Sequence, residues 1–248
     1  MKKQIINHII NTFSNSKQLK ENYKNHFNYN LLLLDNFLTK DVTSLLSEEL
    51  DNIPLEKCKH FTRAKSCMYE YNNLDDTPIQ DLTIQALHSS TFIKWLENIT
   101  GIEKLIPDPH LIGAGYAKSF CGDSLKIHSD FNWNEQLQLH RKVSIVIYLN
   151  DNWKEEWGGQ LNFYDTKRKK INTTVPIKFG NCVIWGYNNL AFHGYPEPIQ
   201  CPENVSRKCL RLFYYVSNAK HDVNNPPHRS LYWFDNKEGK PYDIKSEK

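Results

Sequence analysis

Three residues of this chain have the types and the spacing of a metal centre. His128 and Asp130 lie two residues apart in a segment, 125–132, whose apolar and polar residues alternate as in a β-strand. Residues i and i+2 of a strand point to the same side, so this pair can bind one ion together. His193 follows the apolar stretch 181–185. Two imidazoles and one carboxylate form a donor set that holds non-haem Fe(II) and leaves coordination positions open.

A cation follows the second histidine of this set. Arg207 begins the mainly apolar stretch 207–215, and Arg211 lies four residues on, which is the same side of a strand. A fixed guanidinium in such a place suits the far carboxylate of a dicarboxylic co-substrate. His140 lies in a polar stretch, and we interpret it as a loop or substrate-side residue and not as a ligand. The residues alone leave the choice between Arg207 and Arg211 open.

The order of these elements is more specific than any one of them. An isolated His-x-Asp is a weak motif in a chain with ten histidines. Here the motif is followed by further elements in a fixed order: the apolar stretch 143–150, Trp153, the Gly-Gly-Gln-Leu-Asn-Phe run 158–163, His193 and the stretch 207–215.

This order resembles the Fe(II)- and 2-oxoglutarate-dependent oxygenases, in their prolyl-4-hydroxylase-like branch. The resemblance covers roughly residues 110–216, where 143–150, 158–163 and 207–215 are similar to strands and turns of that branch. A weaker similarity lies at 31–38, which is like the entry strand of these enzymes.

The resemblance implies a role for each candidate site residue. Fe(II) would be bound by His128, Asp130 and His193, with 2-oxoglutarate and O2 as co-substrates and ascorbate as a possible further requirement. Arg207 aligns with the co-substrate cation of the family, and the hydroxyl of Tyr148 would lie beside the same carboxylate. A buried aromatic ring with a satisfied hydroxyl is the alternative for Tyr148. No catalytic acid or base is expected beyond the metal ligands.

Some positions depart from the family pattern or stay undecided. Cys209 replaces the usual serine, so the hydroxyl that relatives carry there is missing. Arg211 stands where the family usually has a small residue, and we expect it at the surface or facing the substrate. Tyr116 and Lys118 lie on the strand before His128, and the sequence does not decide whether they line the pocket.

The activity that the resemblance implies is hydroxylation of an unactivated C–H bond, coupled to conversion of 2-oxoglutarate into succinate and carbon dioxide. The first interpretation of the substrate is a prolyl or other amino-acid residue of a peptide or protein. A small metabolite, such as a free amino acid, a sugar or a natural-product intermediate, is the second. A non-catalytic jelly-roll binding protein is the third, and the intact triad argues against it.

The segments that flank the metal ligands, 130–139 and 194–206, are expected to form the mouth of the site. They carry apolar and aromatic side chains with few charges: Phe131, Trp133, Tyr195, Pro196 and Pro198. Such a mouth suits a neutral or weakly cationic substrate. Trp133 is a candidate platform for the substrate, with simple packing at the rim as the alternative. Trp185 is expected in the core.

Composition argues against several other classes of protein. The formal net charge of +3 over 248 residues is small and evenly spread, so no nucleic-acid partner is expected. No membrane association is expected either, because no stretch approaches the length of a membrane span. The basic run 167–170 is expected at a solvated hairpin tip. None of the six cysteines forms a Cys-x-x-Cys pair, so we expect reduced thiols in a cytoplasmic protein, with Cys182 and Cys209 in buried strands.

Hydrophobic periodicity predicts an α+β fold. Helices are predicted in three regions: 1–26, about 39–50 and about 79–98. From about residue 105 the period changes to two, and short strands are predicted at 110–119, 124–129, 142–149, 159–164, 174–178, 181–186 and 207–216.

The resemblance makes the β-rich part a double-stranded β-helix, or jelly-roll, with the helices packed on one sheet. We therefore expect a helical extension at 1–26, an oxygenase domain at 27–216 and a C-terminal tail at 217–248 that wraps the surface.

Overall fold

The structure is a computed structural model, and the residues that it describes are 1–24, 29–63, 66–165, 170–186, 191–217, 226–232 and 242–243. The helices are α1 (Lys2–Thr12), α2 (Ser16–Lys24), α3 (Lys40–Asp51), α4 (Pro78–Leu87) and α5 (Ser90–Thr100), with short 3-10 turns at Leu55–Lys57, Leu74–Asp76 and Glu155–Trp157. The strands are β1 (Leu31–Leu34), β2 (Lys59–Arg63), β3 (Ser66–Tyr71), β4 (Ile106–Pro107), β5 (Gly115–Ser119), β6 (Leu125–Ser129), β7 (Trp133–Asn134), β8 (Leu139–Tyr148), β9 (Leu161–Asp165), β10 (Lys170–Val175), β11 (Cys182–Gly186), β12 (His193–Tyr195), β13 (Arg207–Val216), β14 (Leu231–Tyr232) and β15 (Tyr242–Asp243).

Capping side chains decide where the helices begin and end. Thr39 accepts a backbone N–H of the first turn of α3, and Ser89 does the same for α5. Gly101 ends α5 in the left-handed conformation, with φ of 71°. The predicted helix from Thr39 is confirmed. The predicted helical region 79–98 is two helices, because the cap at Ser89 starts a new one.

The N-terminal region also consists of two helices, where one was predicted. α1 packs against α4, and α2 packs against α5. Ile5 and Ile9 of α1 are buried in the same core as Phe92 of α5. The apolar stripe predicted for this region therefore packs against the other helices.

Within the described residues, the strands form two antiparallel sheets. The larger has the order β1-β11-β8-β13-β5-β3-β2, with β4 beside β13 and β7 beside β8. The smaller has the order β10-β9-β12-β6-β14-β15. One core lies between the helices and the larger sheet, and a second lies between the two sheets. This is the predicted α+β architecture, a jelly-roll core with helices packed on one sheet.

Strand β8 shows how the larger sheet separates these two cores. Val143, Ile145 and Ile147 are buried against the helices, whereas Val146 and Tyr148 are buried against the smaller sheet. The alternation follows from the two-residue period of a strand. Side chains on the second face point toward the space between the sheets, where the functional site lies.

All six cysteines are described and free, and no disulfide joins any of them. Cys182 and Cys209 lie in β11 and β13 and are buried, as predicted. Burial raises the pKa of the Cys182 thiol well above its ordinary value, so this thiol stays protonated and unreactive.

Two further expectations concern charge and hydropathy. The basic run predicted as a hairpin tip falls mostly outside the described residues, at 167–169, but Lys170 begins β10 opposite Asp165 of β9. Strand β10 begins four residues before the predicted strand at 174–178. No helix in the described ranges is both long enough and apolar enough to cross a membrane.

His88 is a buried histidine whose protonation should oppose folding. Its ring packs edge-on against Tyr214, and burial lowers its pKa from 6.5 to about 4, against the opposing charge of Asp108. The unfolded chain takes up this proton below about pH 6.5, whereas the folded chain does so only near pH 4, so stability falls through that window. From about pH 7.5 to about pH 5, wild type should lose about 2 kcal/mol more unfolding free energy than His88→Gln in urea titrations. Equal losses of unfolding free energy in wild type and His88→Gln would contradict the lowered pKa of His88.

Candidate metal centre and co-substrate pocket

His128, Asp130 and His193 meet where two neighbouring strands of the smaller sheet lie side by side. His193 begins β12 and lies opposite His128 of β6 in the strand register. Nε2 of His128 is 3.3 Å from Oδ1 of Asp130, and Nε2 of His193 is 3.6 Å from Oδ2. One ligand atom from each residue lies within 4.8 Å of the other two. The structure thus brings together the three residues predicted as a metal site.

Backbone hydrogen bonds set the tautomer of both histidines. Nδ1 of His128 lies 2.8 Å from the carbonyl oxygen of Lys126, and Nδ1 of His193 lies 2.8 Å from that of Ala191. A carbonyl oxygen can only accept, so each Nδ1 carries the proton. Each Nε2 is then left with its lone pair directed at the ligand group, which is the arrangement that orients histidine for a metal.

A buried arginine holds the carboxylate of Asp130. Nη2 of Arg141 lies 2.9 Å from Oδ2 of Asp130, and the arginine is 2% exposed. Its guanidinium packs against the rings of Phe131 and Phe213, and both Nε and Nη2 donate to the hydroxyl of Ser144. These contacts fix the guanidinium and, through it, the orientation of the carboxylate.

The charge state of the triad suits a cation. Burial alone would raise the pKa of Asp130, but the charges of Arg141, His193 and His128 outweigh it and hold this pKa well below its ordinary value. Burial lowers the pKa of His193 to about 4, although Asp130 opposes the shift. Near neutral pH the site therefore offers an ionised carboxylate and a neutral His193, which are the protonation states that bind metals.

These donors fit Fe(II). Two imidazole nitrogens and one carboxylate oxygen, without a thiolate, make up the facial triad of non-haem iron proteins. A cavity of about 280 Å³ adjoins the three residues and is lined by all of them. The chemistry of the donor set, the tautomers and the adjoining space are thus all consistent with a metal that keeps positions open for other ligands.

Arg207 lies buried on another wall of this cavity. It is 5% exposed, its Nε donates to the carbonyl oxygen of Gly159 at 2.8 Å, and its guanidinium packs on the ring of Tyr195 at 4.6 Å. Nη2 lies 3.4 Å from the hydroxyl of Tyr148, and Nη1 lies 3.8 Å from the sulfur of Cys209. No carboxylate pairs with this guanidinium among the described residues, so its charge is available for an anionic ligand.

Two tyrosines lie beside this arginine. Burial raises the pKa of Tyr148 and that of Tyr195, so both hydroxyls keep their protons and can donate. Tyr195 lines the cavity, and its hydroxyl lies 3.0 Å from that of Ser119. Tyr148 is fully buried beside Arg207, where it was predicted, and does not itself line the cavity. Tyr195 was predicted at the mouth but lies at the Arg207 end, because β12 carries it inward.

Gly159 allows the close approach that positions Arg207. Its φ is 77°, and a Cβ at this position would lie 3.2 Å from Cδ of Arg207 and 3.3 Å from Ile199. Any side chain would therefore be strained and would press on the arginine. The Gly-Gly run contributes backbone shape to the site, as its sequence indicates.

The two candidate arginines occupy different environments. Arg211 also lines the cavity, but its Nη2 lies 2.7 Å from Oε1 of Glu70. Arg207 therefore fits the predicted co-substrate cation, and Arg211 is already paired with a carboxylate.

The register of β5 keeps the side chains of Tyr116 and Lys118, which the sequence left undecided, away from the cavity. The hydroxyl of Tyr116 donates to Glu49 at 2.8 Å, and Lys118 donates to two carbonyl oxygens at the end of α3. Both side chains therefore point to the helices. Ala117 and Ser119, on the other face of β5, line the cavity instead.

Three aromatic predictions have different outcomes. Trp133 packs edge-on against the buried ring of His140 at 4.6 Å and is not among the residues that line the cavity, so rim packing fits it better than a substrate platform. Trp185 is buried as expected, but it also lines the cavity and packs edge-on against His193 at 5.1 Å. Phe131 lines the cavity, as predicted for the mouth.

The C-terminal tail contributes to the site, although it was predicted only to wrap the surface. β14 pairs with β6, and Tyr232 lies opposite His128 in the register. The ring of Tyr232 is buried and stacks on that of His128 at 5.6 Å. His228 and Asn132 exchange hydrogen bonds that tie the tail to the segment after Asp130. The tail therefore covers one side of the metal ligands.

Sequence reasoning also missed Arg141, which the structure places beside Asp130. A sequence signal exists, because Arg141 lies just before the apolar part of β8, and a buried guanidinium requires an acidic partner.

Replacing Arg141 should destabilise the metal-free protein strongly. Arg141→Met leaves the carboxylate of Asp130 buried without its main partner, a change that typically costs about 3–5 kcal/mol. Urea unfolding would measure this loss. Lys57→Met breaks the exposed pair between Lys57 and Asp76 and should leave the unfolding free energy nearly unchanged, because solvent screens exposed ion pairs. A similar loss of unfolding free energy in the two variants would show that the pair of Arg141 and Asp130 stabilises the fold no more than an exposed pair does.

The family comparison agrees with this geometry. Residues 114–215 match the model of the 2OG-Fe(II) oxygenase superfamily. A prolyl 3-hydroxylase of Mus musculus, OGFOD1, is 25% identical over 156 residues, which are 60% of this chain and 26% of that protein. The chain thus spans about a quarter of the length of this curated relative.

Solved structures of prolyl hydroxylases have a similar fold. The Trichoplax adhaerens prolyl hydroxylase, in complex with a hypoxia inducible factor peptide fragment, superposes with a TM-score of 0.59 and 18% identity, covering 82% of this chain and 92% of that one. A Pseudomonas putida prolyl-4-hydroxylase gives a TM-score of 0.57 and 17% identity, covering 80% and 98%. At such identities the similarity establishes the fold.

The matched segment contains the complete metal triad and Arg207, on the jelly-roll that these structures share. The sequence of residues 114–215 is thus similar to the 2OG-Fe(II) oxygenase superfamily, and the fold of the chain is that of the compared structures.

Proposed function

We propose that this protein is an Fe(II)- and 2-oxoglutarate-dependent dioxygenase that hydroxylates a prolyl residue of a peptide or protein. The observation that carries the proposal is a facial triad with both Nε2 atoms directed at the ligand group, on the same cavity as a buried arginine that has no carboxylate partner in the described part of the chain. When bound, Fe(II) and 2-oxoglutarate supply oxidative decarboxylation chemistry that converts a C–H bond into an alcohol.

The residues of the chain bind and orient the reactants. His128, Asp130 and His193 would hold the metal. Arg207 would pair with the far carboxylate of 2-oxoglutarate, and the protonated hydroxyl of Tyr148 supports this cation at 3.4 Å. The walls at this end are buried, which excludes water and strengthens the ion pair.

A prolyl substrate is supported by the relatives. The mouse relative is named a prolyl 3-hydroxylase, and both compared structures are prolyl hydroxylases, one of them in complex with a peptide. The fold alone does not select a substrate, because jelly-roll oxygenases share a scaffold and differ in the pocket walls. A small metabolite is therefore the alternative that the test must separate.

The test screens substrates by coupled release of succinate. Purified protein would be supplied with Fe(II), 2-oxoglutarate and ascorbate, and offered a panel of proline-containing peptides, the same peptides with alanine in place of proline, and free amino acids and sugars. Turnover of proline peptides alone, with a mass increase of one oxygen, is expected. Acid hydrolysis and comparison with 3- and 4-hydroxyproline standards would then give the position of the new hydroxyl.

Turnover of free small molecules without turnover of any peptide would overturn the prolyl assignment and leave the oxygenase chemistry standing. Absence of both succinate release and 2-oxoglutarate binding would contradict the proposed enzymatic function itself.

A further inference from the structure

A second charged group lies in the cavity, apart from the metal ligands and from Arg207. Nη2 of Arg211 on β13 lies 2.7 Å from Oε1 of Glu70 on β3, and the two side chains are 15% and 13% exposed. Both residues line the same cavity as the metal triad. The pair is therefore accessible from the space in which a substrate would bind.

This pair is separate from the proposed co-substrate position. Arg207 and Arg211 lie on the same face of β13 but four residues apart, which corresponds to about 13 Å along a strand. The two guanidinium groups also have different partners, the carbonyl oxygen of Gly159 for Arg207 and the carboxylate of Glu70 for Arg211. A 2-oxoglutarate molecule anchored at Arg207 thus leaves Arg211 available to the substrate.

The hydrogen-bonding capacity of Arg211 is only partly used. A guanidinium has five N–H donors, and here one nitrogen meets Glu70 while another meets only the sulfur of Met68, a weak acceptor, at 3.5 Å. Nε of Arg211 is buried without a hydrogen-bond partner in the described residues. A largely buried ion pair with unused donors contributes little to stability, because desolvation offsets its attraction. The fold therefore does not account for the pair.

The side chains around the pair indicate the chemical class of the ligand. Phe61, Ile112, Phe131 and Phe213 line the cavity together with the pair. Arg211 and Glu70 present a donor group beside an acceptor group, and one residue of an extended peptide matches both, because its C=O accepts and its N–H donates on the same side of the backbone. A neutral amide can add these bonds without separating Arg211 from Glu70. A free amino acid would bring a carboxylate and an ammonium group, and each would compete with the existing partner.

We infer that Arg211 and Glu70 form a binding site for the substrate backbone. In it, a substrate residue beside the reacting one accepts from the guanidinium through its backbone C=O and donates to the carboxylate through its backbone N–H. The inference rests on the proposed function, and it specifies a peptide rather than a free amino acid as the substrate class.

The test measures equilibrium binding under argon, where no oxygen is present for turnover, to protein loaded with Mn(II) and 2-oxoglutarate. The probes are a set of short peptides with a central proline and blocked ends, such as acetyl-Ala-Pro-Ala-amide, and free L-proline. The double variant Glu70→Met/Arg211→Met replaces the pair by apolar side chains, a change that buried pairs usually tolerate. Lys57→Met, which breaks an exposed pair elsewhere, is the matched control.

The double variant should bind the blocked peptides at least about tenfold more weakly than wild type, which is about 1.4 kcal/mol. Lys57→Met should bind them like wild type, and 2-oxoglutarate affinity should be unchanged in both variants. If thermal unfolding shows that the double variant is not folded, Glu70→Gln gives the same test. It removes the negative charge and should still weaken peptide binding.

Two results would overturn the inference alone. One is unchanged peptide affinity in a folded pair variant that binds 2-oxoglutarate normally. The other is a loss of L-proline affinity without a loss of peptide affinity, which would assign the pair to a zwitterionic small molecule. Failure of wild type to bind Mn(II) and 2-oxoglutarate would instead remove the proposed function, and this inference with it.

Discussion

Asp130→Ala should abolish stoichiometric Fe(II) binding and, with it, the release of succinate. The substitution removes the only anionic ligand of the triad and also leaves the guanidinium of Arg141 buried beside the metal position without its carboxylate. Loss of groups that merely orient metal ligands costs about 10–100-fold in affinity, so loss of the ligand itself should cost at least about 100-fold. Anaerobic titration with Fe(II), followed by metal analysis, measures the effect.

Asp151→Ala is the matched control, since Asp151 is exposed and does not line the cavity. It should retain one Fe(II) per chain and full activity. Normal metal content and normal turnover in Asp130→Ala would refute the assignment of the metal site.

Arg207→Ala should raise the 2-oxoglutarate concentration required for turnover by at least about tenfold. The far carboxylate would be left among buried groups with no cation, and such a loss typically costs about 2–4 kcal/mol, where about 1.4 kcal/mol is one decade. Both the KM for 2-oxoglutarate and its Kd under argon should rise, because the arginine acts on binding.

Arg211→Ala distinguishes the two arginines of β13. It should leave the Kd of 2-oxoglutarate near the wild-type value, because Arg211 already pairs with Glu70. If Arg211→Ala raises this Kd and Arg207→Ala does not, the co-substrate lies at the other end of the cavity from where we place it.

The candidate site residues that the structure brings together depend on local pattern or on motif order. His128 and Asp130 lie two apart on one strand, so their proximity follows from strand geometry alone. His193 and Arg207 follow in the family order, each at the start of a strand. Strands β8, β11 and β13 are long or strongly apolar, so their positions could also be predicted.

The parts that were missed depend on contacts between distant segments. Glu70 lies on a hairpin, β2–β3, that was not predicted, and its partner Arg211 is 141 residues away in the chain. The partner of Arg141 is nearby in sequence, but its burial against Phe131 and Phe213 becomes visible only after the sheets have packed. No periodicity encodes which charged side chains meet across a cavity.

Strand register is a further property that the sequence left undecided. A shift of one residue on β5 exchanges Tyr116 and Lys118 for Ala117 and Ser119 at the cavity wall. The sequence showed that this strand exists but not which of its faces meets the helices. The same uncertainty placed Tyr195 at the mouth, whereas it lies beside Arg207.

Pairing of the C-terminal strand with β6 has a consequence for the order in which the site can be completed. The neighbours of the His128 strand are β12, which contains His193, and β14, which includes Tyr232 and comes last of the three in the chain. A ribosome makes the chain from the N-terminus, so all three metal ligands leave it well before residue 232 does. During synthesis the ligand group must therefore pass through a stage in which one edge of β6 is open and the imidazole of His128 is uncovered.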